Sequence, residues 1–264
     1  MSPPKPRPAR FARYPSLTDR TVLITGGATG IGATLVREFV AQGARVGFID
    51  IDETAGEALA ATLAAKARTR HAPVFVRADV TDIPALQAAI EAIRQRCGPI
   101  AALMNNAAND QRHSIESTTS ESWDRGVAVN LKHQFFAAQA VAPGMRAAGG
   151  GSIVNFGSIS WMLKQGGMPA YTASKAAVQG LTRGLARDLG RFNIRVNTLV
   201  PGWVMTEKQV RLWVDDAAKA DISRLQCIDR PLMPADIARM ALFLAADDSA
   251  LCTAHDFQVD AGIV

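Results

Sequence analysis

The sequence predicts an α/β protein, a single doubly wound domain whose seven-stranded parallel sheet is flanked by helices. Three observations carry that prediction. Short β-rich runs alternate with helical stretches along the chain, a glycine-rich turn joins the first run to the first helix, and the residues suited to chemistry fall just after β-rich runs. With 264 residues, 48% apolar and 20% charged, the chain is long enough to bury a large core in one domain.

Residues 1–16, MSPPKPRPARFARYPS, are rich in proline and basic residues and predict a flexible arm that docks near 14–17. The arm lacks an apolar core segment and so resembles neither a secretory signal nor a membrane span, although an anion-binding or targeting role stays open. Residues 17–264 form the expected domain. Its strands are expected at 21–25, 45–49, 74–77, 100–104, 152–156, 194–199 and 257–259. The stretches 31–42, 55–66, 84–96 and 235–246 carry Ala, Leu, Arg and Glu at helical periodicity. The polar stretch 203–230 reads as irregular and is a candidate substrate lid, though surface helices would give the same pattern.

Lys5, Arg7, Arg10 and Arg13 supply four of the formal charge of +5, which leaves the folded body nearly neutral. The sequence therefore offers no basic face for a nucleic-acid partner. Cys97, Cys227 and Cys252 are odd in number and widely spaced, which argues against a disulfide framework or zinc site and for a reducing cytoplasm. His71, His113, His133 and His255 are scattered, so no metal is expected.

TVLITGGATGIGATLVREF places Gly26, Gly30 and Gly32 where a strand turns into a helix. Such glycines permit a tight turn and close backbone approach, and the helix N-terminus offers free N–H groups to a pyrophosphate. Asp50 ends the second run, about 20 residues after the turn, where a carboxylate accepts hydrogen bonds from an adenosine ribose and repels a 2′-phosphate. With no arginine at Ile51 or Asp52 to offset that repulsion, NAD is expected over NADP. The alternative is that Asp50 begins a polar turn and caps the next helix.

The run SISWMLKQGGMPAYTASK brings together Ser158, Tyr171 and Lys175. Tyr171 and Lys175 lie four residues apart, one turn of a helix, where an ammonium can stabilise a phenolate and lower its pKa. Ser158 follows the strand and can meet the reacting oxygen from the other side. Packing alone also produces such a pair, so the remainder of the chain decides. Asp79-Val80 and Asn105-Asn106-Ala107-Ala108 follow the third and fourth strands.

Together these residues resemble the short-chain dehydrogenase/reductases from residue 21 to 262, through TGGATGIG, Asp79-Val80, NNAA, Asn130 in VNL, Ser158, YTASK, and Pro201-Gly202 with Thr206. The resemblance implies a Rossmann-type fold and a catalytic tetrad of Asn130, Ser158, Tyr171 and Lys175. It also implies cofactor contacts at Gly26, Thr29, Gly30, Ile31, Gly32, Asp50, Ile51, Asp79, Val80, Asn106, Tyr171, Lys175, Pro201, Gly202, Val204 and Thr206. Lys175 is then expected to hold the nicotinamide ribose, Asn130 a water in the proton relay, and Thr206 with Val204 the carboxamide. Ala108 stands where the family usually has glycine.

NAANDQRH, FGSISWMLKQGG, PGWVMTEKQ and LCTAHDFQVDAG look similar to NAD-dependent aldose 1-dehydrogenases, which oxidise sugars at the anomeric carbon to lactones. That likeness implies a sugar site at Asn109, Arg112, Ser158, Trp161, Gln165, Tyr171 and Trp203, with Gln111 and Lys164 as further polar groups and the indoles as apolar faces. Each polar residue is equally compatible with a surface loop. A polyol, a secondary alcohol such as a steroid, or a 3-oxoacyl thioester would use the same machinery, and a noncatalytic dinucleotide-binding protein is the remote alternative. The family resemblance also implies a homotetramer, formed through helices at 130–146 and 170–189 and the last strand.

Overall fold

Side-chain alternation along the first strand, β1 (Thr21–Thr25), builds both faces of the sheet: Val22 and Ile24 enter one core and Leu23 the other. The computed structural model describes residues 12–66 and 69–264, so the expected arm lies largely outside the described residues. The other strands are β2 (Arg45–Asp50), β3 (Val74–Arg77), β4 (Ile100–Asn105), β5 (Gly151–Phe156), β6 (Ile194–Pro201) and β7 (Asp256–Val259). All pair in parallel, in the order β3-β2-β1-β4-β5-β6-β7. The order reverses between β1 and β4, which opens a crevice at the carboxyl ends of those strands.

Helices α1 (Gly30–Ala41), α2 (Glu53–Ala64) and α3 (Ile83–Cys97) follow the first three strands. The chain then forms α4 (Ser120–Val127), α5 (His133–Ala147) and α6 (Pro169–Leu189), then α7 (Glu207–Trp213), α8 (Asp216–Leu225) and α9 (Pro234–Ala245). One core joins the sheet to α1, α2 and α9 through residues such as Phe39, Leu59 and Leu242; the other joins it to α3, α5 and α6 through Ile93, Val141 and Leu189. Residues 12–17 dock on the end of α1. The Gln42 side chain accepts from the Tyr14 N–H (3.0 Å) and donates to the Ala12 carbonyl (2.8 Å), while Leu17 is fully buried.

The structure differs from the sequence expectation in two places. The stretch read as irregular, 203–230, contains α7 and α8, capped at their starts by the Thr206 and Asp215 side chains. Each helix is three turns or fewer and carries little apolar surface, so its periodicity is faint. The helix expected over 130–146 is interrupted at its start by a π-helical segment, Ala128–Lys132, between α4 and α5. Among the described residues no helix is long and apolar enough to cross a membrane, no His/Cys/Asp/Glu group is arranged to hold a metal, and the three cysteines are free.

Candidate active site

The glycine turn is built by exclusion of side chains. A Cβ on Gly32 would lie 1.8 Å from the Gly26 carbonyl oxygen, and Gly26 has φ +65° with its Cα facing Ala107. The Asn106 amide closes the turn by donating to the Thr25 and Gly26 carbonyls at 3.0 and 2.9 Å. Thr29 stands at the N-cap of α1 yet makes no side-chain capping bond, whereas Asp52, Asp82 and Thr119 cap α2, α3 and α4. The first-turn N–H groups of α1 are thereby left to a ligand, and their partial positive charge suits a pyrophosphate.

Asp50 ends β2 with its carboxylate fixed at the mouth of that turn, accepting from the Ala28 N–H (2.9 Å) and the Asp52 N–H (3.1 Å). It does not cap α2. Asp52 does, through a 3.0 Å bond from the Ala55 N–H, so of the structural alternative for Asp50 only the polar turn is found, in its bond from the Asp52 N–H. Asp79 is held by Thr81, whose N–H and hydroxyl both donate to it at 2.8 Å.

One cleft of about 1130 Å³ gathers Gly26, Thr29, Gly30, Ile31, Gly32, Asp50, Ile51, Asp79, Val80, Asn106, Asn130, Tyr171 and Thr206, along with Ala108. Its size, glycine floor, uncapped helix terminus and terminal carboxylate fit a nicotinamide dinucleotide. Pro201 and Val204 are buried behind this wall. Gly202 is also held back, its N–H donating to the Val259 carbonyl, so Met205 and Thr206 present this segment to the cleft.

The residues of the expected tetrad lie at the other end. Lys175, 1% exposed, donates from Nζ to the Phe156 carbonyl at 2.7 Å and lies 5.7 Å from the centre of the Tyr171 ring. Burial pushes its pKa down to about 7. Burial also pushes the half-buried Tyr171 phenol up to about 12, against a hydrogen bond with Ser158 that pulls it down. The expected lowering of the phenol by the ammonium is therefore not what the chain alone produces: loss of solvent dominates at both groups, and the Asp110 charge adds to the rise at Tyr171.

Asn130 sits in the π-helical segment, a feature that recurs at functional sites. Its carbonyl accepts from Gln134 Nε2 (3.3 Å), which also reaches the Phe156 carbonyl (3.5 Å). Its side chain clamps Asn109, accepting from the Asn109 N–H and donating to the Asn109 carbonyl, both at 2.9 Å. Sequence reasoning missed Gln134. Its only signal was a polar residue four positions beyond Asn130, on the buried side of a helix. His133 beside it is fully buried; burial first, then the Lys175 charge, pushes its pKa down to about 3.

The expected sugar-binding residues are not all brought together. Asn109 lines the main cleft, with Asp110, Gln111, Lys208 and Arg211, which the sequence did not single out as a set. Trp161 and Gln165 line a neighbouring groove of about 430 Å³ that shares only His113 and Pro169 with the main cleft. Arg112 stacks on Trp213 at 5.0 Å. The Trp161 and Trp203 indole N–H groups are buried without a hydrogen-bond partner among the described residues. The segment Ser158–Ser160 turns back on itself, Ser158 Oγ accepting from the Ser160 N–H at 3.1 Å.

The family model described as enoyl-(acyl carrier protein) reductase matches residues 26–264. A probable galactose dehydrogenase, GalD, of Rhizobium meliloti is 46% identical over 96% of this chain and 98% of its own. The D-xylose 1-dehydrogenase of Caulobacter vibrioides is 44% identical over 95% and 98%. Among solved structures, a short-chain type dehydrogenase/reductase from Mycobacterium ulcerans superposes with a TM-score of 0.89 at 28% identity, covering 94% of this chain and 90% of that one. A blue fluorescent protein from a metagenomic library, in complex with NADPH, gives 0.84 at 30% identity, covering 94% and 99%. A family match over residues 26–264 and relatives 44–46% identical over nearly their whole length admit one assignment: the chain belongs to the short-chain dehydrogenase/reductase family of oxidoreductases.

Proposed function

We propose that the protein oxidises an aldose at C1 to the aldonolactone, with NAD as the hydride acceptor. The observation that carries this reading is the placement of Tyr171 in the main cleft together with Asn109 and Gln111, polar groups suited to a polyhydroxylated ligand. Two relatives with aldose dehydrogenase names, matched over almost their whole length, support it.

The glycine turn, the α1 N-terminus, Asp50, Asp79 and Thr206 would hold the dinucleotide, which when bound supplies the hydride acceptor. Asp50 favours NAD, because its fixed carboxylate repels a 2′-phosphate. Arg77, paired in register with Asp50 on β3, lies 3.7 Å from Glu53 and so is partly offset by that carboxylate.

Tyr171 takes the proton from the C1 hydroxyl, and Ser158 holds the same oxygen as its charge develops. Lys175, buried and anchored on Phe156, is placed to hold a proton near neutral pH. Asn130 fixes the loop that carries Asn109 into the cleft. The reading also includes a homotetramer, supported by exposed apolar residues such as Phe135 and Leu251, and a reducing cytoplasmic setting, supported by the free cysteines.

The test is product identification. Purified protein, NAD and isotopically labelled xylose or galactose should yield the lactone by NMR before its hydrolysis to the acid. A keto-sugar product, oxidised at a carbon other than C1, would contradict the reading.

A further inference from the structure

The loop after β4 and the helix α7 face each other across the cleft and are joined by two separate contacts. At the start of α7, Lys208 Nζ donates to Asp110 Oδ1 at 2.6 Å and Gln209 Nε2 donates to Asp110 Oδ2 at 2.7 Å. At its end, the Arg112 guanidinium lies 5.0 Å over the Trp213 ring. Both carboxylate oxygens of Asp110 are thus engaged by α7, and its side chain is only 18% exposed. A partly desolvated ion pair of this geometry, backed by a neutral donor, is worth more than an exposed one.

The same loop is fixed from beneath. Asn109, next to Asp110, has its N–H and carbonyl both bonded to the Asn130 side chain. Thr206, the N-cap of α7, lies against the glycine turn, its Cγ2 about 3.4 Å from where a Cβ on Gly30 would be. An unbroken run of contacts therefore leads from Asn130 through Asn109 and Asp110 to α7, whose own start rests on the dinucleotide end of the cleft.

We propose that Asp110 is a positioning residue that latches α7 across the cleft and sets its place relative to Asn130. The role in turnover rests on the reading of the cleft as the site of alcohol oxidation; the latch itself does not. Without it, α7 has no buried residue of its own to hold it, since none of Glu207–Trp213 is buried. Substrate would then be gripped less well while the reacting groups stayed in place.

The test combines limited trypsin digestion, without substrate or cofactor, and steady-state kinetics of Asp110→Ala, Lys208→Met and the double variant. Arg211 provides an exposed cleavage point in α7. The expected result is cleavage after Arg211 roughly fivefold or more faster in both single variants than in the unaltered protein, as local opening becomes easier. The KM for the sugar should rise about tenfold with kcat within about threefold, and the double variant should be no worse than Asp110→Ala. Lys208 is half-exposed, so its variant keeps the test alive if Asp110→Ala folds poorly. Unchanged cleavage in Lys208→Met would overturn the latch. So would additive losses in the double variant, which would instead give Asp110 a direct contact with substrate. Because digestion needs no substrate, an error in the aldose reading would leave that arm unaffected.

Discussion

Tyr171 and Lys175 show what a residue pair reveals in sequence and what it conceals. Their spacing places both on one face of α6, and the structure keeps them there, with Nζ 5.7 Å from the ring centre. Their titration was not legible, because it depends on how completely the sheet, α5 and the Ser158 loop remove water. Phenylalanine at position 171 should reduce turnover about 10³-fold or more while cofactor affinity, read by fluorescence titration, stays within about threefold. Lys175 also carries a stability consequence. Its folded pKa of about 7 lies below the ordinary lysine value of 10.5, so the unfolded chain binds more protons between those pH values. The associated stability is present above 10.5 and is lost as pH falls towards 7. Lys175→Met should therefore be inactive yet melt no lower than the unaltered protein at pH 7, by calorimetry. A clear destabilisation at that pH would show that the bond to Phe156 outweighs the cost of burying the amine. At Asp50, the substitution to Asn keeps one acceptor for the Ala28 N–H, loses the one for the Asp52 N–H and removes the charge, and should lower the NAD-to-NADP ratio of kcat/KM about tenfold or more.

Elements with strong periodicity or strong turn chemistry were legible, and short or irregular ones were not. All seven strands are found within two residues of their expected ends, because alternation feeds two separate cores. The glycine turn was readable for a steric reason the structure makes plain. Gly32→Ala would drive a methyl group into the Gly26 carbonyl and should cost about 3 kcal/mol of stability, measured by urea unfolding, together with dinucleotide binding. By contrast, α7 and α8 lack a wide apolar stripe, and the π-helical segment leaves no pattern in its own residues. The candidate substrate set suffered most. Trp161 and Gln165 are close in sequence to Ser158, but the chain folds back between them, the Gln165 N–H donating to the Ser160 carbonyl, and both line the neighbouring groove. Asp110 and Lys208 meet across 98 residues, a contact that local pattern cannot announce.

At the scale of the whole molecule, strand order places the reactive residues. The reversal at β1 and β4 opens the crevice, and the loops after β1, β2, β3, β4 and β6 each bring a wall to it. The proposed tetramer belongs to this scale: light scattering of the purified protein should give a mass near four chains, and a monomer would remove that part of the reading. The sugar C1 assignment is best tested by initial rates of reduced cofactor formation with NAD or NADP across aldoses, deoxysugars, polyols and secondary alcohols. Strong turnover confined to aldoses and favouring NAD is expected. Turnover on polyols or secondary alcohols with none on aldoses would keep the Tyr171 machinery and contradict the assignment of a sugar C1 substrate.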